Sequence, residues 1–363
     1  MTSAKAIPLV GTVGVPARYG GFETLAEQLC RHVCARDVPF IVYCERSAYG
    51  QDERGADFAG HRRIFLPLRA NGVASMFHDA LALIDAVFRR NADQVFIFGY
   101  SGAWILPVLK MVRPRVRYIV NVDGMEWRRD KFSTPARLLL KALEWCAART
   151  ASVVIADNDA LADLFRERYR NEPVVIAYGG DHTVLPATSP ADVAVFEAAP
   201  RGHYLAIARI EPENNTETII QGCIAAGVPL VFIGNWRANA YGLALRELYG
   251  DATGITLLDP IYDQAGLEPW RAGAIGYIHG HSVGGTNPSL VEALFHTSRM
   301  ASFDCAFNRA TLSGAGSYFT DADSLAVLLR DGLTPIEDEE LAQLRATYRW
   351  DAIAARYLGL LQR

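Results

Sequence analysis

Short apolar runs and amphipathic stretches alternate along this chain twice over, and that double alternation limits the fold more than any other feature. Apolar runs at 6–10, 40–44, 63–66, 94–98, 117–122, 153–156 and 173–177 read as buried strands. Between them, 22–35 carries Leu25, Leu29 and Val33 at helical spacing, and 76–89 has apolar residues at i, i+3, i+4 and i+7. A stretch rich in proline, alanine and small polar residues at 185–202, LPATSPADVAVFEAAPRG, then interrupts the pattern. The alternation restarts with strands at 204–207, 229–233, 255–258 and 276–279 and helices at 216–227 and 288–295. It ends in an amphipathic segment at 341–361, with Leu341, Leu344, Tyr348, Ile353, Tyr357 and Leu361. Strands that alternate with helices build a parallel sheet wrapped by helices. The interruption divides the 363 residues into two such α/β domains of similar size, with a cleft between them.

Composition removes several classes. Half of the residues are hydrophobic, which supplies a large core and excludes a disordered chain. Thirty-six Lys and Arg against forty Asp and Glu leave a net charge of −4, so no nucleic-acid partner is expected. The six cysteines form no CxxC pair. Cys30 and Cys34 flank His32 on one helical face, but buried reduced cysteine explains them better than a metal. The N-terminal apolar run breaks at Gly11 and is too short for a signal segment or a membrane span, so a cytoplasmic protein is expected.

In open α/β sheets ligands bind beyond the carboxyl ends of strands, and four segments there carry unusual residues. The first is 11–24, GTVGVPARYGGFET, where four glycines with Arg18, Tyr19 and Glu23 lead into a helix, a place that favours an anion. Its spacing fits neither a Walker A loop nor a GxGxxG turn, which argues against ATPase and simple dehydrogenase readings. The second, 121–131, NVDGMEWRRDK, mixes Asp123, Glu126 and Trp127 with basic residues; carboxylates and an indole face suit sugar recognition, and a solvated loop is the plainer reading. The third, 208–215, ARIEPENN, places Arg209 after a buried strand, with a fork that matches phosphate oxygens. The fourth, 279–292, HGHSVGGTNPSLVE, is a small-residue loop handing over to a helix with proline in its first turn, a phosphate cradle with Glu292 placed to accept from a ribose diol.

These four segments together resemble the retaining GT-B glycosyltransferases of family GT4. More narrowly they resemble the bacterial rhamnosyltransferase-type subgroup with a DUF1972-like N-terminal domain. The resemblance spans nearly the whole chain. It implies an α/β fold of the GT-B kind: two Rossmann-like domains facing across a cleft, with a C-terminal helix crossing back. The corresponding divisions are an acceptor-side domain at 1–185, a linker at 186–202, a donor domain at 203–345 and a crossover helix at 346–363. By position, Arg209 binds the donor diphosphate, and Gly284, Gly285, Thr286, Asn287, Pro288 and Ser289 cradle it. Glu292 holds the nucleoside sugar, Ile261 and Tyr262 lie under the base, and Gly20, Gly21 and Arg18 close on the phosphate from the other side. Asp123 and Glu126 orient the acceptor hydroxyl and His281 contacts the donor sugar.

The implied reaction moves a deoxyhexose, L-rhamnose from dTDP-rhamnose, onto a glycan or a polyprenyl-diphosphate-linked sugar in cell-surface polysaccharide synthesis. It needs no metal and no cofactor beyond the nucleotide-sugar co-substrate. Peripheral contact with the inner face of the membrane would follow, for which 76–90 and 111–117 are candidate segments. A transferase using a UDP- or GDP-sugar, a sugar-phosphate epimerase and a non-catalytic sugar-nucleotide-binding protein stay open. Two departures from the general family pattern keep the last alive: Asn214 stands where the family has lysine, and Gly284 where it has glutamate.

Overall fold

A computed structural model of the chain describes residues 5–18, 20–122, 124, 126–128, 132–185 and 200–361. Among these residues fourteen strands form two sheets. The chain divides into two compact units, one comprising Met1–Tyr178 with Trp350–Arg363, the other Gly179–Arg349.

The first unit holds β1 (Ile7–Val10), β2 (Phe40–Glu45), β3 (Asp57–Phe58), β4 (His61–Leu66), β5 (Gln94–Phe98), β6 (Arg117–Val122), β7 (Val153–Ala156) and β8 (Val174–Val175). Their order is β3-β4-β2-β1-β5-β6-β7-β8. Every pairing is parallel except that of β3 with β4, a two-residue hairpin arm too short to leave an apolar run in the sequence. Every residue of β1, β2 and β5 is buried, as expected of strands covered on both faces.

The helix expected at 76–89 runs as Ala74–Ile84 and widens into a π-turn over Asp85–Arg89, where the Arg90 N–H reaches back five residues to the Asp85 carbonyl (2.9 Å). The amphipathic segment expected at 341–361, a helix open to breaks, forms two helices, Asp338–Thr347 and Trp350–Gly359, which belong to different units. Tyr348, between them, donates its hydroxyl to the Thr311 carbonyl (2.7 Å) in the second unit. Tyr357 instead packs its ring on Phe96 in the first unit (centroids 5.5 Å) and accepts from the Asn121 amide (2.6 Å). The C-terminal helix, from Trp350, groups with the first unit. The first unit's main segment runs to Tyr178; beyond it Gly180 bonds to the Tyr348 carbonyl (2.9 Å) and Thr183 to His296 (2.9 Å) within the second. Most of the expected linker, 186–199, lies outside the described residues.

The second unit holds β9 (His203–Ile207), β10 (Leu230–Ile233), β11 (Ile255–Leu258), β12 (Ala274–His279), β13 (Met300–Phe303) and β14 (Ser317–Phe319). All pairings are parallel and the order is β11-β10-β9-β12-β13-β14. Counted within the unit, that is 3-2-1-4-5-6, the Rossmann order. Phe232, Trp236, Leu325 and Phe319 sit fully buried between sheet and helices, each contributing about 1.5–3 kcal/mol of apolar burial. In both units the strand order reverses beside the first strand, between β1 and β5 and between β9 and β12. Those are the switch points where such sheets open a crevice.

Candidate functional site

The loops that leave β9 and β12 emerge together at the second unit's switch point, and hydrogen bonds lock one to the other. After β9 the chain makes a single 3-10 turn, Pro212–Asn214, before the helix Thr216–Ala226. The Asn215 amide donates to the Gly280 carbonyl (2.8 Å), and both the N–H and the hydroxyl of Ser282 donate to the Glu213 carbonyl (3.0 and 2.8 Å). The approach is so close that a Cβ on Gly280 would lie 2.0 Å from the Asn214 carbonyl oxygen, so no larger residue fits there.

Asn214 is the pivot of this arrangement. It is 3% exposed, its amide donates to the Arg209 carbonyl (2.6 Å), and its Oδ1 meets Nδ1 of His281 (2.6 Å). With the amide nitrogen engaged, Oδ1 is the acceptor, so Nδ1 of His281 carries a proton. The His281 carbonyl in turn accepts from Asn308 (2.8 Å). Gly284 sits beside this ring at φ +117°, a left-handed backbone, and a Cβ there would lie 3.3 Å from Nε2. A glutamate at 284 would be strained in this loop.

Arg209 presents 41% of its side chain to solvent, and its nearest carboxylate, Glu211, lies 3.9 Å away. The helix Pro288–Ala293 starts from Asn287, whose Oδ1 accepts from both the N–H and the hydroxyl of Ser289 (3.0 and 2.8 Å). Thr286 is buried and takes part in a hydroxyl contact with Thr311 (3.4 Å).

Beneath the loops lies a cavity lined by Ile207, Arg271, Tyr277, Ser289, Glu292 and His296. Arg271, nearly fully buried, donates to Oε2 of Glu292 (3.0 Å) and to Gln264 (2.5 Å). Oε1 of Glu292 is 3.7 Å from Nε2 of His182. Burial pushes the Glu292 carboxyl above its ordinary pKa, and the Arg271 guanidinium opposes that rise. Nothing in the sequence flagged Arg271, His182 or His296, since each joins the cluster from a separate element.

Two histidines here make the fold acid-sensitive. Burial lowers His279 to about 3, and His296 falls to about 3 through burial and then the charges of Arg271, Arg345 and His182. Both stay neutral in the native state while the unfolded chain takes up protons near the usual imidazole value, so stability rises with pH between about 3 and 6.5. The urea midpoint should fall as pH drops through that window, and His279→Asn should flatten the slope. An unchanged slope in the variant would remove His279 as a source.

The other candidate residues fall elsewhere. Arg18 forms a two-oxygen pair with Glu53 (2.5 and 2.6 Å) and lies over the Tyr49 ring (5.1 Å). Gly20 and Gly21 open the helix Gly21–His32 at the first unit's switch point, where Glu23 turns back to accept from the Val13 N–H (2.8 Å). Ile261 and Tyr262 follow β11 and precede the helix Gln264–Gly273, which Asp263 caps by accepting from Gly266 (2.7 Å). Asp123 and the Glu126 side chain lie outside the described residues. Their neighbour Trp127 donates to buried Glu144 (2.9 Å), with Lys141 and Arg168 over its ring (4.3 and 4.8 Å), so its indole is engaged inside the unit rather than open to a sugar. Among the described residues no group of three or more His, Cys, Asp or Glu side chains is placed to hold a metal ion.

This two-sheet architecture is the GT-B fold of known glycosyltransferase structures. Sucrose-phosphate synthase from Thermosynechococcus elongatus superposes with a TM-score of 0.79 at 15% identity, covering 98% of each chain. HepE from Anabaena, solved in complex with UDP, gives 0.71 at 13% identity over 98% of this chain and 100% of that one. The catalytic domain of starch synthase IV from Arabidopsis thaliana, bound to ADP and acarbose, gives 0.71 at 10% identity over 98% of each. Residues 4–181 match the family model described as a domain of unknown function, DUF1972. No match is found among curated protein sequences. Among the described residues no helix is long and apolar enough to cross a membrane.

Proposed function

We propose that this chain is a glycosyltransferase that takes its sugar from a nucleoside-diphosphate donor bound at the second unit's switch point. The observation that carries this reading is the locked pair of loops after β9 and β12, which sets an open guanidinium, Arg209, on a fixed backbone at the crevice of a 3-2-1-4-5-6 sheet. Beside it, Arg271 holds one oxygen of Glu292, which orients the carboxylate so that the other oxygen serves the donor's ribose hydroxyls. The nucleoside diphosphates named with HepE and starch synthase IV support a ligand of the same kind here.

In the transfer the bond from the sugar's anomeric carbon to the diphosphate breaks, and a bond to the acceptor hydroxyl oxygen forms. The hydroxyl proton leaves with the diphosphate. Charge builds on the departing oxygens, where Arg209 and the amides of residues 284–289 act, so the chain's main tasks are anion stabilisation and alignment. In the proposed scheme no metal takes part, His281 contacts the donor sugar, and Asp123 and Glu126 orient the acceptor. The sequence resemblance supports the finer assignment: dTDP-L-rhamnose as donor, retention of anomeric configuration, and a glycan or lipid-linked sugar as acceptor.

Thermal unfolding in the presence of dTDP-rhamnose, UDP-glucose and GDP-mannose tests both levels. A matched donor at about a hundred times its Kd stabilises by about 2.7 kcal/mol, several degrees in Tm. A shift with dTDP-rhamnose alone is the expected result. A shift with another donor alone overturns the rhamnose assignment, and no shift with any of the three overturns the donor site.

A further inference from the structure

Two neighbouring segments of the first unit turn their large apolar side chains to solvent. On the helix Ala74–Ile84 and the turn after it, Phe77, Leu81 and Phe88 are exposed at helical spacing, Phe77 by 57%. On 101–112, Trp104, Val108 and Met111 repeat that stripe, Met111 by 76%. The two stripes are continuous: the Phe77 and Trp104 rings meet edge-on (6.4 Å), and the Trp104 indole donates to the Met76 carbonyl (3.1 Å). Arg113 reaches over the Phe88 ring (5.3 Å). Single exposed apolar residues are ordinary, whereas a joined patch of aromatic and aliphatic side chains marks an interaction surface.

Within the two segments the exposed charges are cationic. Residues 74–90 contain two acids, Asp79 and Asp85, and 101–117 contain none. Both acids are turned inward, Asp79 onto buried His78 (3.1 Å) and Asp85 onto Tyr43 (2.7 Å) and Arg90 (3.0 Å). The adjoining helix Thr134–Thr150 has a single acid, Glu144, which is fully buried. Arg113 and Arg115 by contrast are exposed, as is Arg89, which also pairs with Asp85 (3.2 Å). Within these segments the carboxylates thus turn inward and Arg113 and Arg115 stand at the edge of the patch, while the exposed Asp93 beyond them is paired with Lys5 (2.8 Å). Apolar side chains with a cationic rim match an anionic lipid surface, where the former enter the interface and the latter meet the headgroups.

We propose that this face docks the protein on anionic membranes, lying on the bilayer without crossing it. Flotation of the full chain with vesicles tests it, comparing phosphatidylcholine alone with equal parts phosphatidylcholine and phosphatidylglycerol. The chain should float with the anionic vesicles only and should be released as salt rises, because exposed charges are screened. Arg113→Gln with Arg115→Gln should weaken binding by about thirtyfold. Phe77→Ser with Met111→Ser, both at exposed positions, should weaken it by at least about tenfold with unchanged thermal unfolding.

The proposal is overturned if the wild-type chain stays unbound at both compositions or binds both alike. It is equally overturned if both double variants bind as well as wild type. A salt-insensitive dimer that Phe77→Ser with Met111→Ser splits, with vesicles ignored, would assign the face to a second copy of the chain instead. Binding of the wild-type chain does not depend on the donor assignment, so this test and the nucleotide-sugar test fail separately.

Discussion

Replacing Arg209 by alanine should lower sugar transfer by about a hundred- to a thousandfold and leave thermal unfolding unchanged. The size follows from the loss of one preorganised cation facing the charge that develops on the leaving diphosphate. The intact fold follows from how Arg209 is used. What holds the loop is its main-chain carbonyl, which accepts from Asn214, and alanine keeps that carbonyl. The side chain itself is 41% exposed and, among the described residues, meets a carboxylate only at 3.9 Å, where Oε2 of Glu211 lies beyond hydrogen-bond reach, so its removal breaks no direct hydrogen bond to that group. Arg209→Lys should recover part of the rate, since it keeps the charge and loses the fork that matches two phosphate oxygens. Initial rates with dTDP-rhamnose and a saturating acceptor, measured beside Tm, separate the cases. Full activity in Arg209→Ala would take the residue out of the site, and a matching fall in Tm would make the loss structural.

The sequence led directly to the sheets and less directly to the site, for reasons visible in single elements. Residues 94–98, 117–122 and 153–156 are strands within those same limits, because strands largely buried on both faces read as apolar runs, and 255–258 keeps its limits too although it is a half-exposed edge strand. Met300–Phe303 and Ser317–Phe319 leave no clear strand signal in the sequence; they are short, carry serine, and take their place from neighbours in the sheet. The break within 341–361 is not located by the pattern, because periodicity reports that residues are buried and not which core buries them. Tyr348 and Tyr357 both fit the pattern and enter different units.

At the site, loops that follow strands were legible because glycine, arginine and asparagine cluster there. Arg271 was not, since it lies in a helix 21 residues before Glu292 and only the fold brings the two within 3.0 Å. The departures at 214 and 284 were legible as letters and not as structure. In the sequence they leave open how the leaving diphosphate is neutralised, and in the structure Asn214 bonds to His281 while Gly284 sits beside that ring.

That interlock makes Asn214→Lys the sharpest test of what the departures mean. If lysine were merely missing, restoring it should raise activity; the geometry predicts instead a destabilised protein with no gain. Asn214 is 3% exposed and serves two partners, as donor to the Arg209 carbonyl and as acceptor for Nδ1–H of His281. A lysine has no acceptor, so the imidazole N–H loses its partner, and the new ammonium enters a site shaped for a neutral amide. Gly280, held against the Asn214 carbonyl oxygen, leaves the backbone no room to retreat. A cost of about 3–5 kcal/mol is expected, a fall in Tm of roughly 6–20 °C for a domain of this size. Asn214→Ala loses both hydrogen bonds without adding a charge, and about 2–3 kcal/mol is expected for it. The gap between the two variants then isolates the buried ammonium. A lysine variant as stable as wild type and faster in transfer would mean that the side chain reaches open solvent, and that the bonds to Arg209 and His281 do not set the loop. With the gap present and activity lowered in both, neutralisation of the leaving diphosphate falls to Arg209 and the loop amides, with His281 held by Asn214 beside them.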